Sequence, residues 1–281
     1  MQAHLLPDGR LHLHHGPVDL LIGATGMGRM QGFARARDRF DGLLQELVNE
    51  LRELRTPLDL APQVHGLISR RMLAAIRPYQ GQFVTPMAAV AGAVADAVLA
   101  AMQGDGLERV YVNNGGDLSV YLDESQEYTG GIPSVSKGRL VLKHDDPWRG
   151  IATSGWGGRS HSLGIADSVT VLARTAAEAD VAATMIANAV DLPNHSAIVR
   201  QAACELMPDS DLGTRSVTVA VGALGESDKQ QALANGQIYA RKLLRKGLIG
   251  GALLFLQGEI VSVGEGGFHL GVTGEGNHER V

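Results

Sequence analysis

Apolar and polar positions recur with a definite period along most of this chain, and the period switches several times. His4–Leu6 and Arg10–His14 flank Pro7-Asp8-Gly9, which predicts a β-hairpin, and Val18–Ile22 is a further strand ended by Gly23-Ala-Thr-Gly26-Met-Gly28. Phe40, Leu43, Leu44, Leu47, Val48, Leu51 and Leu54 then keep helical spacing up to Pro57. Val64, Leu67, Ile68, Leu73 and Ile76 predict a second helix stopping before Pro78. Thr85-Pro86 opens an alanine-rich third helix through Met102, with Thr85 as its cap and Pro86 in its first turn. Glu108–Tyr121 reads as strand, Asn-Asn-Gly-Gly-Asp turn, strand, and the polar, glycine-rich residues 123–149 read as a connector. Asp167–Ala173 has the β-branched density of a strand, and Thr175-Ala-Ala-Glu178 has the form of a capping box at a helix start. A helical run near His195–Met207, a β run at Ser216–Val221 and a helix at Lys229–Lys246 follow. A hairpin of Ala252–Leu256 and Glu259–Val263 turns at Gln257-Gly258. Helices and antiparallel hairpins recur in both halves, so the predicted class is α+β. The tail from Gly264 lacks periodicity and is expected to be weakly ordered.

At 281 residues the chain fits one large domain or two closely packed halves. Aromatic content of 4% against 36 glycines implies packing by Ala, Val and Leu against closely approaching backbones. A net charge of -5 and the lack of a basic run exclude a nucleic-acid surface. The single cysteine, Cys204, rules out an internal disulfide and is expected to be buried in a helix. No secretory leader and no apolar run of membrane-spanning length is read, so the expected setting is cytoplasmic, without membrane contact.

Candidate chemistry concentrates between Gly150 and Val190. The loop Gly150–Ser162 carries Thr153, Ser154, Arg159, Ser160 and His161 among glycines, a composition that lets successive backbone N–H groups approach an anion. In such a loop His161 suits a general base, though a loop histidine needs no special role. On the following helix Asp180, Thr184 and Asn188 fall at i, i+4 and i+8 and share one side. Asp180 and Thr184 fit a helix-surface stripe first and a pair of hard oxygen ligands for Mg²⁺ or Ca²⁺ second, because two ligands do not make a metal site. In Asn113-Asn114-Gly115-Gly116-Asp117 the glycines suit positive φ in a tight turn; close approach of the Gly115-Gly116 backbone to a ligand is the alternative. His12 and His14 share a strand face and His15 points away, with no partner ligand evident. The Gly23–Gly28 cluster lacks dinucleotide-fingerprint spacing, and no nucleophile elbow, Walker loop or zincin motif is present.

Asn114-Gly-Gly-Asp-Leu118, Ala152-Thr-Ser-Gly155, Ser160-His161, Ser168-Val-Thr-Val171 and Ala179-Asp180-x-x-x-Thr184 occur in that order. This ordered set resembles the ApbE-type flavin transferases. His14-His-Gly-Pro-Val-Asp-Leu20 and His161-Ser-Leu-Gly-Ile-Ala-Asp167 are closer still to an uncharacterised cytoplasmic branch related to them. The resemblance implies an ApbE-like fold, similar to two intertwined T-fold halves of mostly antiparallel sheet and long helices. It would form one domain over residues 1–263, with halves near 1–122 and 150–263.

In the transferases FAD is bound and its FMN half passes to a protein threonine, with Mg²⁺ at the diphosphate. The resemblance assigns Asp180, Thr184 and a backbone carbonyl near Ala89 to the metal, and His161 to catalysis. It assigns Gly115, Gly116, Asp117, Thr153, Ser154, Gly155, Arg159 and Ser160 to the ligand. The transferases' Asp-Pro-Arg-Thr-Gly segment is absent here, and Gly92 stands where they carry lysine. The expected partner is therefore a small flavin- or nucleotide-like anion rather than a protein acceptor. A Mg²⁺-assisted transferase, a non-catalytic binding or accessory protein, and an enzyme on another anionic metabolite all stay open. Alanine-rich helices are compatible with a homodimer.

Overall fold

The computed structural model describes residues 1–132, 138–158, 160–264 and 267–270. It opens with strands β1 (Gln2–Leu5), β2 (Leu11–His15) and β3 (Val18–Thr25), then helices α1 (Arg29–Phe40), α2 (Leu43–Asn49), α3 (Leu51–Leu54), α4 (Leu67–Ile76) and α5 (Val90–Met102). Strands β4 (Arg109–Asn114), β5 (Asp117–Leu122), β6 (Glu127–Gly131), β7 (Arg139–Lys143), β8 (Gly150–Ser154) and β9 (Ser168–Ala173) precede helix α6 (Ala176–Ala189). The remainder is β10 (Ile198–Ala202), α7 (Ala203–Leu206), β11 (Ser216–Val221), α8 (Glu226–Arg245), β12 (Gly251–Leu256), β13 (Glu259–Val263) and β14 (Phe268–His269). The fold is α+β.

Nine strands make one antiparallel sheet in the order β1-β2-β3-β4-β5-β8-β9-β12-β13. Strand alternation sorts side chains between its two faces. Val110 and Val112 join the main core under the helices, whereas Tyr111 packs in a second core on the opposite face. That second core lies under the small sheet β14-β7-β6, so residues 123–149 hold a hairpin and not only a connector. In each half two hairpins sit side by side in the sheet with helices inserted between them: β2-β3 with β4-β5, and β8-β9 with β12-β13. The halves meet at β5 and β8, where only Leu118↔Ile151 and Ser119↔Gly150 pair.

Helices α5 and α6 reinforce this short seam. Asp96 is the sole charged residue of α5, and it is buried. Its Oδ1 accepts from Ser119 Oγ at 2.6 Å and Ala176 N at 3.1 Å, and its Oδ2 from Ala177 N at 3.0 Å. A carboxylate on the orphan N–H groups of a helix start is favoured by hydrogen bonding and by the helix dipole. The local cap works as expected: Glu178 N donates to Thr175 Oγ1 at 3.2 Å, and the Glu178 carboxylate takes the Thr175 N–H. Gly92 allows the two helices to touch, because a Cβ there would lie 2.2 Å from the Ala176 carbonyl oxygen.

Several segments differ from their sequence patterns. The Phe40–Leu54 pattern is broken into α2 and α3, with Gly42 at φ 79° before α2, and α1 precedes it unannounced. Thr85 does not cap α5; its hydroxyl donates to Asp211 Oδ2 at 2.5 Å, and residues 86–89 form a 3-10 turn. The His195–Met207 segment is β10 and the single turn α7, paired with β11 through a bulge at Val199/Arg200. Cys204 lies in that turn and is half-buried. Phe268–His269, in the tail, pairs with β7.

Replacing Asp96 by Ala strands two buried amides and the Ser119 hydroxyl, and is expected to cost about 3 kcal/mol of unfolding free energy. Asp96→Asn keeps an acceptor oxygen and should lose less. Urea denaturation measures both; a loss under about 0.5 kcal/mol for Asp96→Ala would show the cap to be dispensable.

Candidate functional site

The site forms at the seam, from one end of α5, one side of α6 and the first residue of β5. The Asn113-Asn114-Gly115-Gly116-Asp117 segment makes the two-residue turn that its composition predicts, with Gly115 at φ 67° and Gly116 at φ 116°. Asn113 Oδ1 accepts from Gly116 N at 2.8 Å and fixes the turn. Asn114 and Asp117 then face the helices. Asn114 Nδ2 donates to Ala91 O at 3.1 Å, and Asp117 Oδ1 accepts from Thr153 N at 3.2 Å across the seam.

Asp180 meets this group from α6. Its Oδ2 accepts from Gly92 N at 3.0 Å, so the α6 carboxylate caps α5 just as the α5 carboxylate caps α6. Ala89 is buried at the N-cap position of α5, three residues from Gly92. Asp180 is half-buried and keeps some contact with solvent. Desolvation, and after it the negative charge of Asp117, push its carboxyl well above the usual carboxylate range, against the opposing pull of the Gly92 and Ala91 N–H groups.

Thr184 and Asn188, both half-buried, continue the stripe along α6. Asn188 Oδ1 accepts from Leu163 N at 2.9 Å and Ser162 Oγ at 3.2 Å, which ties the glycine-rich loop to the far end of the helix. His161, adjoining that anchor, is half-buried, and its Nε2 is enclosed with no hydrogen-bond partner among the described residues. Ser160 is exposed. Eight residues of helix separate Asp180 from Asn188, roughly 12 Å along the axis. The polar stripe thus runs from an acidic end to a neutral polar end.

The structure brings Asp117, Asp180 and the Thr153 backbone together and sets Thr184 farther along the helix, with the loop that carries His161 tied to its far end. Other predicted residues fall elsewhere. Thr153 shares the sheet face of Ile151, which lies in the second core, and its hydroxyl meets that of Thr170 at 2.9 Å. Ser154 lies on the helix face. Gly155 is a packing glycine, since a Cβ there would lie 2.2 Å from Asp167 O. Gly115 and Gly116 line a pocket of about 410 Å³ on the other face, beside Arg10, His12 and Asp19. Arg159 lies outside the described residues. Asn188 was marked by its place on the α6 stripe and Asn114 by its glycine-rich motif, whereas Asp96 was missed; its being the one charge within an apolar helix is the signal that could have found it.

The family described as AbpE bacteria matches residues 3–262. The chain belongs to this family. It is similar to the UPF0280 protein of Methanopyrus kandleri, 35% identical over 202 residues that cover 66% of this chain and 75% of that one. It is similar to the UPF0280 protein of Methanothermobacter thermautotrophicus, 38% identical over 162 residues, or 56% and 60% of the two chains. For the UPF0280 protein of Methanospirillum hungatei the identity is 37% over 121 residues, or 42% and 50%. The chain thus spans half to three-fifths of the length of the last two relatives. Among the described residues no helix is long and apolar enough to cross a membrane.

A raised carboxyl reverses the usual acid dependence. The folded chain holds the Asp180 proton at pH values where the unfolded chain, near 3.8, has released it. This contribution is fully present below the unfolded value and is lost as pH rises through the folded one. Asp180→Asn should therefore flatten the fall in denaturation midpoint above about pH 4 relative to the parent. Parallel pH profiles for the two proteins would show that Asp180 is not perturbed.

Proposed function

We propose that the seam cleft binds a flavin- or nucleotide-like anionic ligand together with Mg²⁺. The observation that carries this reading is the pair of carboxylates, Asp117 and Asp180, close enough for the charge of one to raise the other. Such a pair repels an anion and is relieved by a divalent cation. Carboxylates, a hydroxyl and a nearby turn carbonyl are hard oxygen donors, and each carboxylate has lone pairs beyond those its backbone bonds use. The residues therefore fit the ion, with Asp180, Thr184 and the backbone near Ala89 as holders and Asp117 facing them. Among the described residues no three His, Cys, Asp or Glu side chains are grouped to hold a metal by themselves. This favours an ion shared with ligand phosphates, a common arrangement for Mg²⁺. When bound, the ion would neutralise diphosphate charge.

The chain's own residues orient the rest. The Gly92 amide and the Asn114–Ala91 bond fix the turn against which Asp180 rests. Asn188 holds the loop that presents His161, whose enclosed Nε2 is available to exchange a proton or a hydrogen bond with a bound group. A second reading, binding without transfer, is favoured by Gly92. Where the flavin transferases carry lysine, contact with the Ala176 backbone leaves no room for a side chain.

Titrating the protein with FAD, with Mg²⁺ and with EDTA, tests the proposal. Binding is expected with Mg²⁺ only, and Thr184→Val should weaken it about tenfold while retaining the fold. FAD and ADP that both fail to bind, or that bind equally in EDTA, would sink it. Little covalent flavin should appear on a threonine acceptor protein; robust transfer abolished by His161→Ala would make the chain a flavin transferase.

A further inference from the structure

Two enclosed polar atoms at the neutral end of the stripe have no use in the fold. Thr218 of β11 is 4% exposed, yet its Oγ1 finds no hydrogen-bond partner among the described residues, and neither does His161 Nε2. A buried polar group left unpaired costs about 1–3 kcal/mol, so two such atoms on segments joined by a backbone bond call for an explanation. They flank one backbone bond: Thr218 N donates to Ser162 O at 2.9 Å, and His161 is the residue before Ser162. The segment between them is held firmly. Asn188 accepts from Ser162 Oγ and Leu163 N, Gly164 N donates to Ser162 Oγ at 3.2 Å, and Arg200 donates to the Leu163 carbonyl.

We infer that Thr218 and His161 belong to a hydroxyl-binding subsite that takes the ribityl or ribose segment of the ligand. The inference rests on the cleft reading above and extends it to a residue on a separate hairpin. A ligand hydroxyl both donates and accepts, so hydroxyls of one chain suit the threonine hydroxyl and, in either tautomer, the imidazole nitrogen. A phosphate offers acceptors only and suits the cation-binding end, roughly 12 Å away along α6. A neutral sugar-like chain is what remains to be bound at this end.

Thr218→Val is nearly isosteric and removes only the hydroxyl. With the proposed role, the ligand-free variant melts at the same temperature as the parent or higher, because an unpaired buried group has gone. Binding in the presence of Mg²⁺ should weaken about tenfold for the ligand whose chain occupies the subsite. FMN carries only a ribityl chain and ADP only a ribose, so the one that loses affinity identifies the source. The His161 imidazole is followed by NMR as free ribitol, and separately inorganic phosphate, is added. Ribitol should shift its resonances in the parent and not in Thr218→Val. If FMN and ADP both fail to bind the parent while ribitol still shifts His161, the flavin or nucleotide reading fails and the hydroxyl subsite stands. A markedly lower melting temperature, unchanged affinity for both FMN and ADP, or a His161 response to phosphate but not to ribitol would each overturn the inference.

Discussion

The Asp96 carboxylate takes two backbone N–H groups from the start of α6, and Asp180 returns the bond to the start of α5. This exchange of caps joins the two halves of the chain where the sheet joins them least, at a seam of two residue pairs. Each carboxylate meets amides that no helix can satisfy internally, so the exchange answers two needs together. The geometry tolerates little change. Cβ atoms at Gly92 and Gly150 would lie 2.2 and 2.0 Å from backbone atoms at the α6 start, and one at Gly164 would lie 2.1 Å from Ala187 O. Small residues on three different elements thus set the position of α6.

Once α6 is fixed, its polar stripe is placed. It carries Asp180, Thr184 and Asn188 one turn apart, with Asp180 against the start of α5 and Asn188 against the glycine-rich loop. The same helix therefore presents a charged end and a neutral end to whatever lies along it. Asp180 caps α5 from an unfavourable electrostatic setting. Its bond to Gly92 favours the ionised form, while its burial and Asp117 oppose it.

The hairpin β10–β11 contributes from outside the nine-stranded sheet. Thr218 and Arg200 hold the loop that carries His161, and Asp211 takes the Thr85 hydroxyl at the approach to α5. One excursion thereby touches both ends of the cleft. The glycine at 92 is demanded by helix contact, so no side chain can project from that position.

Local chemistry was legible in the sequence. Gly115-Gly116 needed positive φ, and Thr175-Ala-Ala-Glu178 closed its own helix start. Each of these depends on residues within four positions of one another, so composition and spacing suffice. Asp180 and Thr184 were marked by the same periodicity, though pattern alone could not lift them above a surface stripe. What only the tertiary structure decided lies between distant residues. His195–Met207 has helical spacing, but pairing with β11 supplies backbone partners that a short isolated helix cannot. The Thr153 hydroxyl left the cleft because strand register put it on the face of Ile151. Asp96 and Ala176 are 80 positions apart, Asp117 and Thr153 are 36, and Thr218 meets Ser162 across a whole helix. A carboxylate's role is set by the amides and charges that folding brings to it, and no local pattern encodes those neighbours.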